Sequence, residues 1–265
     1  MLEAPAPDPT MLAVTALAAL LYGLGVRRLG ARGRRWPAAR TAAFAAGLLA
    51  LTIATSSGLA RVDTVRFSAH AVQHVLLGMV APLLLALGAP VTLALQAAAR
   101  PTRSALLRVV DHPAAGALTH PAVGWALFGG TLFALYLTPV FGLSLRNDLV
   151  HAAVHLHFLA AGCLFFWPLV GTDPVRRRLP HPARMLSLLL LVPVHAVLGL
   201  ALLGLSAPLG DGTWSLADQR AGAAVLWGTG DLLGLVAGGV VLARWMAADD
   251  RAQAVRDRLA DAGRR

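Results

Sequence analysis

The chain is built of long apolar blocks separated by short polar stretches. The blocks fall at 10–27, 40–60, 68–96, 119–141, 148–170, 184–206 and 219–244. A helix needs about 20 apolar residues to cross roughly 30 Å of hydrocarbon, so each block is predicted to be a spanning helix. None alternates polar with apolar positions as a barrel strand does, and only closed backbone hydrogen bonding survives in lipid. The expected fold is all-α: an integral membrane bundle of seven transmembrane helices, one domain over 1–246, with a short charged tail over 247–265. The longest connection, roughly 97–118, is too short for a core of its own. Gly230, Gly234 and Gly238 recur at a spacing of four on the last span, a small-residue face suited to close helix packing in lipid.

Composition agrees with a bilayer environment. Hydrophobic residues make up 57% of the chain and charged residues 14%, against about 25% charged in ordinary soluble domains. All 23 basic residues are arginine, and the net charge is +10. No nucleic-acid-binding motif accompanies that charge, and the arginines fall between apolar blocks, where topology signals belong. Nineteen lie in connections one–two, three–four and five–six or in the C-terminal tail, including Arg34, Arg103, Arg177 and Arg256. The other four, Arg61, Arg66, Arg146 and Arg220, lie on the opposite side. The positive-inside rule then expects the N-terminus outside and the C-terminus cytoplasmic. Met1 to Thr10 holds Glu3 and Asp8 and no basic residue, so the first block reads as a retained helix rather than a secretory signal. The single cysteine, Cys163, excludes an internal disulfide and a CxxC metal motif.

Ionisable residues inside spans are costly and usually functional, so the histidines carry most of the chemical information. The third span opens with His70 and His74, the fifth with His151 and His155. Residues four apart share one helix face, and both helices are expected to enter from the outer side. At about 1.5 Å of rise per residue, both pairs fall in the outer third of the membrane. Four imidazoles buried near lipid without partners would cost several kcal/mol, which a shared metal ion or a haem would offset. The expectation is that His70, His74, His151 and His155 converge on one metal ion. Imidazole suits zinc, copper, iron and nickel alike, so residue type does not choose the metal. Deeper in the bundle lie His195 and Asp231, placed to orient a metal-bound ring or to serve as an onward transfer position. His157 points away from His155, and His112, His120 and His181 lie at the arginine-rich face as surface or headgroup residues.

These residues stand in a pattern of landmarks. Phe67-Ser-Ala-His70-Ala-Val-Gln-His74 runs on to Pro82 and then to Gly88-Ala-Pro90. His151-xxx-His155 is followed by Gly162, Phe166-Trp167-Pro168-Leu169 and Gly171-xx-Pro174. Pro193-Val-His195 precedes Gly199, Leu216-Ala-Asp218-Gln219 and Trp227-xx-Gly230-Asp231. Over roughly residues 60–245 this resembles the polytopic CtaG family of bacterial cytochrome c oxidase assembly factors, which is distinct from the single-span copper chaperone of the same name. The resemblance implies a non-enzymatic, multi-pass protein of the bacterial cell (inner) membrane. It implies copper as the probable metal, handled or delivered for the copper B centre of a haem–copper oxidase. Partners would be an oxidase subunit or a copper donor protein, besides the lipid bilayer. Three other readings of the same residues are a copper permease, a bis-histidine haem b protein and an intramembrane zinc hydrolase. A permease needs a polar path to the cytoplasm, and below His195 and Asp231 the sequence offers only Cys163, Met185 and apolar residues.

Overall fold

A computed structural model describes residues 8–176, 178–210, 214–262 and 264. Glu3, Arg177, Asp211 and Arg265 lie outside them. The described residues are helical, with no strand among them. Helices α1 (Pro9–Ala31) and α2 (Ala38–Ser56) cross first. The third span, Phe67–Ala97, is built in pieces: α3 (Phe67–Val75), a π turn (Leu76–Val80), α4 (Ala81–Leu87) and α5 (Pro90–Ala97). Short helices α6 (Arg100–Val110) and α7 (Pro113–Leu118) form the longest connection. Then follow α8 (Pro121–Tyr136), α9 (Val140–Arg146), α10 (Asp148–Val170), the consecutive pair α11 (His181–Leu189) and α12 (Leu191–Leu203), and α13 (Leu216–Ala262). Six helices are long and apolar enough to cross a bilayer, and α8 with α9 makes a seventh when the bent pair counts as one span. The fold is a membrane helix bundle.

Local sequence explains the breaks. The predicted straight fourth span bends by 76° between α8 and α9. Pro139 sits at the bend and disfavours helical backbone at Thr138. The Thr138 hydroxyl meets the frayed ends, donating to the Ala134 carbonyl and accepting from the Val140 N–H. In the third span Pro82 has no N–H to give the Gly78 carbonyl one turn earlier, and the preceding turn widens: the Ala81 N–H bonds back to Leu76. That freed carbonyl faces α10. A Cβ on Gly162 would sit 2.1 Å from the Gly78 oxygen, so only glycine lets α10 pack there. Ala89, at φ 50°, separates α4 from α5 just before Pro90. The last helix does not stop at 246 but continues as one helix of 47 residues, its charged final turns fully exposed.

Two ends of the bundle differ in chemistry. At one end the start of α1 meets the end of α2, where the Asp8 N–H donates to the Thr55 carbonyl. There too the Ser68 hydroxyl donates to Asp218 at 2.5 Å, tying the start of α3 to the start of α13. Gly222 lets α13 lie directly against Phe67. This is the histidine end. At the other, arginine end, the guanidinium groups of Arg184 and Arg244 donate to the last carbonyls of α10, at Leu169 and Val170, and Arg178 donates to the Gly171 carbonyl just past it. The glycine stripe of α13 packs as its spacing suggests: Gly230 against the His195 ring, Gly234 against Leu191 and Gly238 near Met185.

Candidate metal centre

α3 and α10 carry their histidine pairs to the same end of the bundle and face them across it. Within the pairs, ring centres are 4.0 Å apart for His70 and His74 and 4.3 Å for His151 and His155. Between the pairs they are 6.0 Å apart for His70 and His151 and 6.2 Å for His74 and His155. The four rings thus mark the corners of a narrow quadrilateral. An ion at its centre would lie about 3.7 Å from each ring centre, roughly half an ångström beyond a 2 Å metal–nitrogen bond plus the distance from ring centre to nitrogen. His70, His74 and His155 are buried, at 1%, 2% and 4% exposure.

The ring nitrogens are largely unpaired. Both nitrogens of His70, both of His155 and Nε2 of His74 are buried without a hydrogen-bond partner. Buried polar atoms are nearly always satisfied, so five such nitrogens in one place are a strong departure from the rule. A cation bound between the rings would take up one lone pair from each neutral imidazole, so this donor set suits a metal ion. Aromatic side chains fix the rings. Phe158 stacks on His74 with ring centres 4.3 Å apart, and Phe141, on α9 beyond the bend, lies edge-on to His70 at 5.2 Å. The Tyr136 hydroxyl lies 2.8 Å from His74 Nδ1 and sets the orientation of that ring.

Two carboxylates join the pairs. Asp63, in the loop between α2 and α3, lies 3.4 Å from His151 Nε2 through Oδ2. Asp8 caps α1, accepting from the Thr10 and Met11 N–H groups at 2.9 and 3.1 Å. Its Oδ2 lies 3.9 Å from His155 Nδ1, too long for a hydrogen bond. The His155 ring and the two N–H groups hold the Asp8 carboxyl below its usual value, against the opposing effect of burial. Burial pushes the Asp63 carboxyl up, but the contact with His151 outweighs it and the net shift is down. Both side chains are therefore carboxylates at neutral pH. The sequence reading did not single out Asp63, Asp8 or Tyr136 as site residues. Asp63 lies seven positions before His70, as the acidic residue between Arg61 and Arg66 in the connection leading into that span, which was the available signal.

The deeper candidates stand apart from the four rings. His195 Nδ1 bonds the Leu191 carbonyl at 3.0 Å rather than Asp231, and Asp231 Oδ1 is buried without a partner. His195 and His74 nevertheless line one cavity of about 10 Å³, together with Met79, Phe128 and Phe158. The remaining histidines have local roles. His112 and His120 cap α7 and α8 by accepting from the Ala114 and Ala122 N–H groups, and His157 bonds the Thr131 hydroxyl. His181 stacks on Trp245.

Residues 20–248 match the family model for the cytochrome c oxidase caa3 assembly factor, Caa3_CtaG. The chain belongs to this family. Among curated relatives, the uncharacterized protein Mb0105 of Mycobacterium bovis is 32% identical over 271 residues, covering 96% of this chain and 41% of the relative. The uncharacterized protein MT0111 of Mycobacterium tuberculosis gives the same figures. The uncharacterized protein ML1998 of Mycobacterium leprae is 32% identical over 257 residues, 91% of this chain and 39% of the relative. The chain thus spans about two fifths of the length of the curated relatives it matches. No solved structure matches it. The Caa3_CtaG match includes both histidine pairs, His195 and Asp231, and it leaves out Asp8.

Proposed function

We propose that this chain acts in the assembly of a haem–copper cytochrome c oxidase in the bacterial inner membrane, handling copper for the copper B centre through His70, His74, His151 and His155. The reading rests on one observation above others: five buried imidazole nitrogens without partners, on two facing pairs at one end of an apolar bundle. Family membership supplies the oxidase. The arginine distribution supplies the direction, with the N-terminus and the histidine end outside and the C-terminus in the cytoplasm. Copper is cargo in this reading, and no bond of a substrate is made or broken, so the chain is not an enzyme. His195 and Asp231 serve as the onward position, reached through the small cavity that His74 and His195 share.

Metal analysis of the detergent-purified protein tests the site. Wild type should retain copper after removal of loosely held ions, and a variant with all four histidines changed to alanine should not. His112→Ala and His181→Ala should bind as wild type does. A strain lacking the gene tests the role: oxidase subunits should be made, while oxidase activity and oxidase copper fall together and excess copper partly restores them. Normal oxidase copper in that strain would remove the proposal.

A further inference from the structure

The four histidines are not equivalent in their surroundings. Ligand atoms of Asp63, His151 and His155 all lie within 4.8 Å of one another, whereas His70 and His74 fall outside that set. The trio opens on a cavity of about 610 Å³ at the histidine end, lined also by Asp8, Asp148 and Gln73. Three carboxylates face this space. Acidic side chains alone would mean little. Here, however, a histidine at 4% exposure lines the same space with both nitrogens unpartnered.

We propose that Asp63, His151 and His155 form a distinct outermost site for a divalent cation, the loading position of the protein, with His70 and His74 as the next position inward. This builds on the copper reading above and gives it an order. A carboxylate with two neutral imidazoles has net negative charge, which favours a doubly charged borderline ion over a monovalent one. For bonds of about 2 Å in a tetrahedron, ligand atoms stand roughly 3.4 Å apart. The Asp63–His151 contact already has that length, at 3.4 Å. Closing His155 onto the other two asks for at most about 1.4 Å of side-chain movement, since all three ligand atoms already lie within 4.8 Å of one another. His74 instead packs against Tyr136 and Phe158, away from the carboxylates, and His70 packs among Phe67, Phe141 and Tyr136 with Asp63 within electrostatic reach. Asp8 lies beside His155, where it adds negative charge at the mouth and can orient the ring.

The test uses copper(II) and zinc(II) salts on the full-length detergent-purified protein, with affinity read by chelator competition. Asp63→Asn should weaken the first equivalent of either ion about tenfold or more, as expected for loss of a charged ligand. Asp63→Glu should recover most of that loss, His74→Ala should weaken the first equivalent clearly less than Asp63→Asn does, and His112→Ala, which only caps α7, should leave it within about twofold of wild type. Size-exclusion profiles check that each variant is folded. A second readout needs no variant: pulsed electron paramagnetic resonance of wild type with one copper(II) should count two imidazoles. Three or four imidazoles, or an unchanged affinity in Asp63→Asn, would overturn the outer site while leaving the copper reading in place. Equal losses in Asp63→Asn and His74→Ala would show one merged centre and likewise overturn it. A wild-type protein that binds neither ion would remove the copper reading itself.

Discussion

Replacing Tyr136 with phenylalanine isolates one hydrogen bond in the centre of the site. Tyr136 is 1% exposed, and its hydroxyl lies 2.8 Å from His74 Nδ1. Phenylalanine keeps the ring and its edge contacts with Phe67 and His70, so packing changes by one oxygen atom. What is lost is the partner of Nδ1. Nε2 of His74 is already unpaired, so the variant leaves an imidazole at 2% exposure with no hydrogen bond at all. An orphaned buried polar atom costs about 1–3 kcal/mol, whereas removing both partners together can be nearly neutral. Tyr136→Phe should therefore destabilise the metal-free protein by about 2 kcal/mol, and Tyr136→Phe combined with His74→Phe by less than the two single changes added together. Thermal unfolding in detergent, followed by circular dichroism, measures all four members of the cycle. Additive effects, with a coupling below about 0.5 kcal/mol, would refute the claim that this hydroxyl holds His74.

Gly162→Ala places a methyl group 2.1 Å from the Gly78 oxygen and 2.7 Å from Pro82 Cγ, so α10 must move off the π turn. The cost should exceed the roughly 1–3 kcal/mol of ordinary overpacking, and Gly239→Ala, which meets nothing within 4 Å, should melt as wild type does. Cysteine labelling in the loops around Arg34 and Asp211 should mark opposite sides of the membrane, with Arg34 cytoplasmic; labelling of both from one side would reject the orientation. Because the folded-state carboxyls of Asp8 and Asp63 lie below their usual value, the stability they add is fully present above the ordinary carboxylate range and is lost as pH falls through it. Melting temperature should therefore drop below about pH 4, and less steeply in Asp63→Asn than in wild type; parallel curves would count against the Asp63–His151 contact.

The apolar blocks and the two HxxxH pairs were legible because each is a local pattern. A span is a run of similar residues, and spacing four fixes a helix face wherever the helix goes. Asp63 was not legible, because its role depends on how a loop folds back over a helix 85 positions later, and no period in the sequence encodes that. The bend at Pro139 was visible in principle. The residue before a proline leaves the helical region readily, but hydropathy ran on through 141 and masked it. Pro82 was quoted as a landmark, yet its effect, a widened turn and a freed Gly78 carbonyl, appears only once α10 is laid against it.

These breaks have a common location. The π turn begins two residues after His74, the bend at Pro139 places Phe141 on His70, and the loop after α2 brings in Asp63. A bundle of unbroken helices would pack its spans along their whole length and leave no space for four rings between α3 and α10. Here α10 approaches the third span at Gly162, against Gly78. Nearer the histidine end the space between them holds imidazoles. The irregular backbone thus lines a polar cavity and is shielded from lipid by the surrounding helices, which is where irregular backbone is tolerated at membrane depth. The same local defects that cost helix stability therefore open the space in which Asp63 and the two histidine pairs meet.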